Sequence, residues 1–280
     1  MNSKIITRKC GIYLCYRCLM IDKTHWTARE AVADIADGVS IAVGGFGLVG
    51  VPEVLIDALI EQGASGLTII SNNLGREDAG LGRLLAADRI STSIGSYVSN
   101  NAEYLRRYLE GDIELQFVPQ GTLAEKLRAG GAGIPAFYTS AGVGTDMTTT
   151  GLPKRYRPGE GGQPPTPVEF TAPKETRSFG GELYLLEEAL TPDVGLVHAH
   201  KADRYGNLVF RLTARNFNPD VARAAKLTIV QAEYVVDELD PDEVHVPGIA
   251  VDRVVEVGRQ DVKVERRTVT PRAAGNGSEA

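Results

Sequence analysis

From residue 27 onward, apolar positions fall alternately at helical and at strand spacing. The stretch 27–35 has a helical period, with Thr27 placed to cap it and Glu30 three residues on to complete a capping box. Positions 39–43 form an apolar run of strand length, followed by a glycine-rich turn and a helical period over 52–61. The alternation continues with strands over 67–71, 90–94 and 113–118, separated by helices over 81–87 and 101–109 and followed by a helix over 122–128. This succession predicts an α/β fold, an open and mainly parallel sheet with helices on both faces. Near 148–181 the composition shifts to Gly, Pro, Thr and Lys, and the alternation pauses in an inserted excursion of short strands or loop. Strand patterns return at 183–186, 194–198 and 208–210, then a helix over 220–225 and a strand over 227–236. Residues 1–20 read as a disordered extension, 21–270 as one domain and 271–280 as a disordered tail without apolar period.

With 43% hydrophobic and 24% charged residues in 280, the chain can bury one large core. A formal net charge of −6 and the absence of Lys/Arg runs interleaved with aromatics argue against a nucleic-acid partner. No apolar run approaches the roughly 18–20 residues of a membrane span, so no membrane partner is expected. Cys10, Cys15 and Cys18 are the only cysteines, which leaves the domain without disulfides and implies a cytoplasmic location. Cys15 and Cys18 have Cys-x-x-Cys spacing, but only His25 lies near them and structural zinc takes four ligands. His198 and His200 would share one strand face with no identifiable third ligand, so no metal is expected. No Gly-x-Ser-x-Gly elbow and no cysteine occur within the domain, which leaves serine and thiol hydrolase chemistry without a nucleophile.

The most informative stretch is 37–52, a buried strand running into Gly44, Gly45, Phe46 and Gly47 and then, past Gly50, to Pro52. Glycines there permit positive φ and close approach of a ligand to the backbone. Pro52 suits the first helical position, and the helix N-terminus beyond it would favour an anionic group. Gly45-x-Gly47-x-x-Gly50 also fits a dinucleotide fingerprint, which requires an acidic residue at the end of the second strand. That strand ends in Ser71-Asn72-Asn73 instead.

The run 37–52 resembles the signature of the α subunit of family I CoA transferases. Further segments resemble the family in the same order: Ser71-Asn72-Asn73, Val118-Pro119-Gln120-Gly121-Thr122-Leu123-Ala124-Glu125, Gly130-Gly131-Ala132-Gly133-Ile134-Pro135-Ala136-Phe137 and Ala214-Arg215-Asn216-Phe217-Asn218. The likeness covers about 21–267. Ser96-Tyr97-Val98 and Asn101-Ala102-Glu103-Tyr104 resemble the succinyl-CoA:3-oxoacid branch more than the 3-oxoadipate or acetate branches.

The resemblance implies a ping-pong transfer of CoA, with coenzyme A as substrate and no cofactor, in an assembly with a β subunit, α2β2. The family's nucleophile is a glutamate in a Ser-Glu-Asn-Gly-type segment of the β half. No Glu-Asn-Gly occurs in this sequence, so the chain by itself is expected to be inactive. By the same analogy Gln120 is the catalytic candidate, an amide donor to the developing oxyanion. Asn72 and Asn73, with Gly44, Gly45, Phe46 and Gly47, are candidates for binding substrate or CoA. Local roles remain open for them: a turn for Gln120, an Asx turn or cap for the asparagines, and core packing for Phe46. A metabolite-sensing module on the same fold, or a related hydrolase or lyase subunit, are the alternatives.

Overall fold

A computed structural model of the chain describes residues 22–98, 101–261 and 263. The expected N-terminal extension with its three cysteines and the expected tail lie outside the described residues. Thr27 caps α1 (Ala28–Val32) and exchanges both capping-box bonds with Glu30, as the spacing predicts. Then follow β1 (Ser40–Val43), α2 (Glu53–Gln62), β2 (Leu67–Ile70), α3 (Leu81–Ala86), β3 (Ile90–Gly95), α4 (Ala102–Glu110), β4 (Glu114–Phe117) and α5 (Gln120–Gly131). The excursion contains β5 (Ala136–Thr139), β6 (Pro153–Arg157), β7 (Thr166–Phe170), β8 (Thr176–Phe179) and β9 (Glu182–Glu188). The chain returns through β10 (Val194–Asp203), β11 (Leu208–Val209), α6 (Asn218–Ala224), β12 (Leu227–Val236) and β13 (Arg253–Glu256).

The main sheet has the order β13-β12-β10-β1-β2-β3-β4, with β11 on β10 as its antiparallel member. Every other pair in it is parallel, as the alternation predicts. The chain enters at β1, steps outward to β4, and re-enters beside β1 at β10 before stepping the other way. The strand order therefore reverses between β1 and β10, and loops leaving their carboxyl ends diverge and open a crevice.

Successive residues of each strand feed opposite faces. Ile41, Val43, Leu196 and Ile229 pack with Leu55 and Leu59 of α2, Leu84 of α3 and Tyr104 of α4. Ala42, Val197 and Val230 pack with Leu123 and Leu127 of α5 and Val221 of α6 on the other face. The excursion forms its own antiparallel sheet, β5-β9-β8, and the hairpin β6-β7. The strand expected at 183–186 thus closes this second sheet and does not resume the parallel one. Glu187 of β9 is fully buried and accepts from Lys126 of α5 and from Lys174, both at 2.8 Å. This charged contact fixes α5 to the small sheet, since breaking a buried pair leaves an uncompensated charge. No helix among the described residues is long and apolar enough to cross a membrane.

Candidate functional site

The glycine turn lies at the reversal point. Residues after β1 form a tight hairpin in which Phe46 and Val49 exchange both backbone bonds at 3.0 Å. Gly45 has φ +120°, and Gly44 lacks a Cβ for a different reason, because one there would overlap Asn218 Oδ1. Phe46 is 47% exposed at the tip and outside the core. The hairpin ends at Pro52, which is the N-cap of α2 and not its first helical residue.

The expected anion site at that helix end is not free. Gln231 of β12 is fully buried, and its Oε1 accepts the N–H groups of Val54 at 2.9 Å and Leu55 at 3.2 Å. Those backbone donors fix the carboxamide's direction, so its Nε2 donates to His198 Nδ1 at 2.9 Å. His198 therefore carries its proton on Nε2, which faces Glu233 at 3.5 Å, while His200 Nδ1 pairs with the same carboxylate at 2.8 Å. Burial holds the His198 imidazole below its ordinary pKa, with Glu233 opposing the shift. The two histidines share one face, as their spacing predicts, and Glu233 binds both. Among the described residues no His, Cys, Asp and Glu group is arranged to hold a metal ion.

On the other flank, Asn72 follows β2 and is 3% exposed. Its Oδ1 accepts from Gly47 N at 3.4 Å, and its Nδ2 donates to Gln120 Oε1 at 3.2 Å. Gln120 is exposed and is the first residue of α5, with Pro119 as N-cap, so it sits on a helix and not in the strand-end turn that the sequence suggested. With Oε1 held by Asn72, the Gln120 Nε2 group points away from Asn72, and no group among the described residues accepts from it. Asn73 Oδ1 accepts from Gly75 N at 2.9 Å, which is the local turn weighed for it. The structure thus brings Gly47, Asn72 and Gln120 into one hydrogen-bonded row at the carboxyl edge, with Gly44, Gly45 and Phe46 in the hairpin that carries it.

Two residues of the branch-specific segments are structural: Asn101 caps α4 by accepting from Tyr104 N, and Tyr104 OH donates to Ser93 Oγ at 2.8 Å. A cavity of about 450 Å³ opens on the β10–β12 side of the hairpin, lined by Leu48, Val51, Val54, His198, Gln231 and Glu233 among others. None of the residues the sequence put forward for catalysis or for binding substrate or CoA lines it. Its rim mixes Arg211, Arg259 and Lys263 with Glu53, Asp57 and Asp261, a balance that selects no ligand charge. The row of amides, which offers an unmatched donor, is the better candidate for chemistry on a carbonyl. Sequence reasoning noted Asn216 and Asn218 within a family-like segment without assigning them to the site. Both asparagines clamp the hairpin, and their only signal was the Asn-Phe-Asn spacing.

Residues 25–257 match the family model described as Coenzyme A transferase. The chain is 51% identical over 252 residues to a Mycobacterium bovis protein named as one subunit of a probable succinyl-CoA:3-ketoacid coenzyme A transferase, covering 89% of this chain and 99% of that one. It is 44% identical over 269 residues to the human succinyl-CoA:3-ketoacid coenzyme A transferase 2, mitochondrial, covering 94% of this chain and 51% of that protein. The solved acyl-CoA transferase of Escherichia coli O157:H7, in a thioester complex with CoA, is similar in fold, with a TM-score of 0.71 at 23% identity. That match covers 88% of this chain and 49% of the other, so the chain spans about half of that polypeptide.

Proposed function

The chain belongs to the coenzyme A transferase family, and from that premise we propose that it is the α subunit of an enzyme moving CoA from succinyl-CoA to a 3-oxoacid such as acetoacetate, together with a β subunit. The observation that carries the reading is the row Gly47–Asn72–Gln120, which ends in an amide donor without an acceptor among the described residues. The names of the relatives supply the substrate pair. Substrate choice turns on few side chains, so the pair belongs to the proposal.

The chemistry follows from a carboxylate nucleophile on the β subunit. Its oxygen adds to the succinyl-CoA thioester carbonyl, giving a tetrahedral oxyanion that collapses with loss of CoA thiolate and leaves a mixed anhydride. The thiolate then adds to the glutamyl carbonyl, succinate leaves, and an enzyme thioester remains. Acetoacetate runs the same two steps in reverse, ending with acetoacetyl-CoA and free glutamate. Each addition places negative charge on one oxygen, and a neutral amide donor stabilises that charge with no proton transfer. Gln120 Nε2 is the donor assigned to this chain, and Asn72 keeps it from rotating toward the protein. Coenzyme A enters as substrate.

The test is transfer from succinyl-CoA to acetoacetate, followed as acetoacetyl-CoA, with this chain alone and with the co-expressed β subunit. Turnover in the mixture and none from the chain alone is the expected result. Turnover by the chain alone would place the nucleophile here and defeat the division of labour. Transfer in the mixture to other acids but not to acetoacetate would defeat the substrate assignment.

A further inference from the structure

We infer that Asn216 is a positioning residue for Gln120, acting across the glycine hairpin from the opposite flank. The inference rests on the proposed role of Gln120 in the transfer reaction. Asn216 ends the 3-10 turn Leu212–Arg215, just before α6. Its Oδ1 accepts from Gly45 N at 3.1 Å and from Phe217 N at 2.7 Å, and its Nδ2 donates to Val49 O and to Thr213 O, both at 2.9 Å. The carboxamide therefore binds an N–H on the first arm of the hairpin and a carbonyl on the second, closing its base as a strand partner would.

Asn218 holds this arrangement from below. It is fully buried, donates to Gly50 O and Ala214 O at 2.9 Å, and accepts from His198 N at 2.9 Å. Its Nδ2 also lies 3.4 Å from Asn216 Oδ1. Leu212 enters the turn at φ +49°, a left-handed conformation costly for a branched side chain that persists only where the surroundings impose it.

The hairpin so clamped is the one whose Gly47 N–H reaches Asn72. That bond, at 3.4 Å, is the longest in the row. A long bond is the one most easily lost to a small displacement of its donor, because hydrogen-bond strength falls steeply with distance and angle. Without it the Asn72 carboxamide is free to turn, and Gln120 Oε1 loses its fixed partner. Asn216 touches neither Gln120 nor the space in front of it, so its effect travels through Gly45, Val49, Gly47 and Asn72.

The experiment uses the αβ complex, with Asn216→Ala and Asn216→Asp made in both the Gln120 and the Gln120→Ala backgrounds. The aspartate keeps the acceptor for Gly45 and Phe217 and loses the donor to Val49 and Thr213 at unchanged side-chain size, so it breaks the clamp without leaving a cavity. With Gln120 present, kcat should fall roughly tenfold to a hundredfold while KM for the acyl-CoA stays within about twofold. In the Gln120→Ala background the same changes should cost nothing further, since the group being positioned is gone. Equal losses in both backgrounds would show a structural role only and overturn the inference. A crystal structure of Asn216→Ala should show the Gly47–Asn72 bond broken and the Gln120 carboxamide rotated; an unchanged row would overturn it as well. Full activity of Gln120→Ala alone would instead remove the reading of Gln120 on which this rests, and the variant's crystal structure would then decide the positioning by itself.

Discussion

Gln231→Leu removes a carboxamide that is fully buried and bonded on both ends, at nearly constant volume. Its Oε1 accepts from two amides at the start of α2, and its Nε2 donates to His198. Leaving a buried donor or acceptor unmade costs about 1–3 kcal/mol. Leu55 N and His198 Nδ1 lie in buried bonds and meet that condition, whereas Val54 N is only part-buried beside the cavity and can take water. Two such penalties, offset by about 1–2 kcal/mol from burying a leucine in place of an amide, leave a net loss of about 0–5 kcal/mol, centred near 2–3 kcal/mol. Gln231→Glu should lose less, because a carboxylate still accepts both amides at a helix N-terminus, although His198 Nδ1 must then carry a proton. Urea unfolding followed by far-UV circular dichroism measures both, with an unchanged slope confirming that only stability has moved. A leucine variant more stable than the parent, or a glutamate variant weaker than the leucine one, would refute the hydrogen-bond assignment.

Gln120→Ala should lose about a hundredfold to a thousandfold in kcat while still assembling with the β subunit; near-normal turnover would take Gln120 out of the mechanism. Its stability should change by less than about 1 kcal/mol, since the side chain is exposed and makes one neutral bond. Gly44→Ala drives a methyl group into the buried Asn218 amide and should cost about 1–3 kcal/mol in the same urea assay, while an unaltered midpoint would mean that α6 can retreat. His198 should titrate in the folded chain below its ordinary value of 6.5. The unfolded chain then takes up the proton first on acidification, so the stability this residue contributes is intact above 6.5 and declines as pH falls toward the folded pKa. Nitrogen-15 NMR should show a neutral ring protonated at Nε2, and a resonance titrating above 6.5 would contradict the assignment.

Local pattern was enough for much of this molecule. The capping box at Thr27 and Glu30 depends on residues three apart, and the apolar run at 227–236 reproduces β12 with its ends, because turn signals and burial coincide there. The parallel sheet followed from alternation of period, and the hairpin glycines from a strand that must turn sharply into a helix. Other elements exist through pairing with distant partners. β13 has four residues and is defined by β12, and β10 continues through the polar His200 and Lys201 because β12 runs beside it. β5 pairs with β9, about fifty residues on, in a sheet that no local period announces.

The site divides along the same line. Gln120, Asn72 and the glycines were legible as family-like letters, each at the end of an element on one edge of the sheet. That Asn72 would hold Gln120, and that Asn216, Asn218 and Gln231 would hold the hairpin and helix around them, was not. Asn216 meets Val49 across 167 positions, and Gln231 meets Val54 across 177. An amide carries the same letter whether it faces water or caps a buried helix. Its partners are chosen by the strand order, which sets β1 between β2 and β10 and so brings the segments after β2 and β4, the middle of β12 and the segment before α6 against one turn and the helix that follows it.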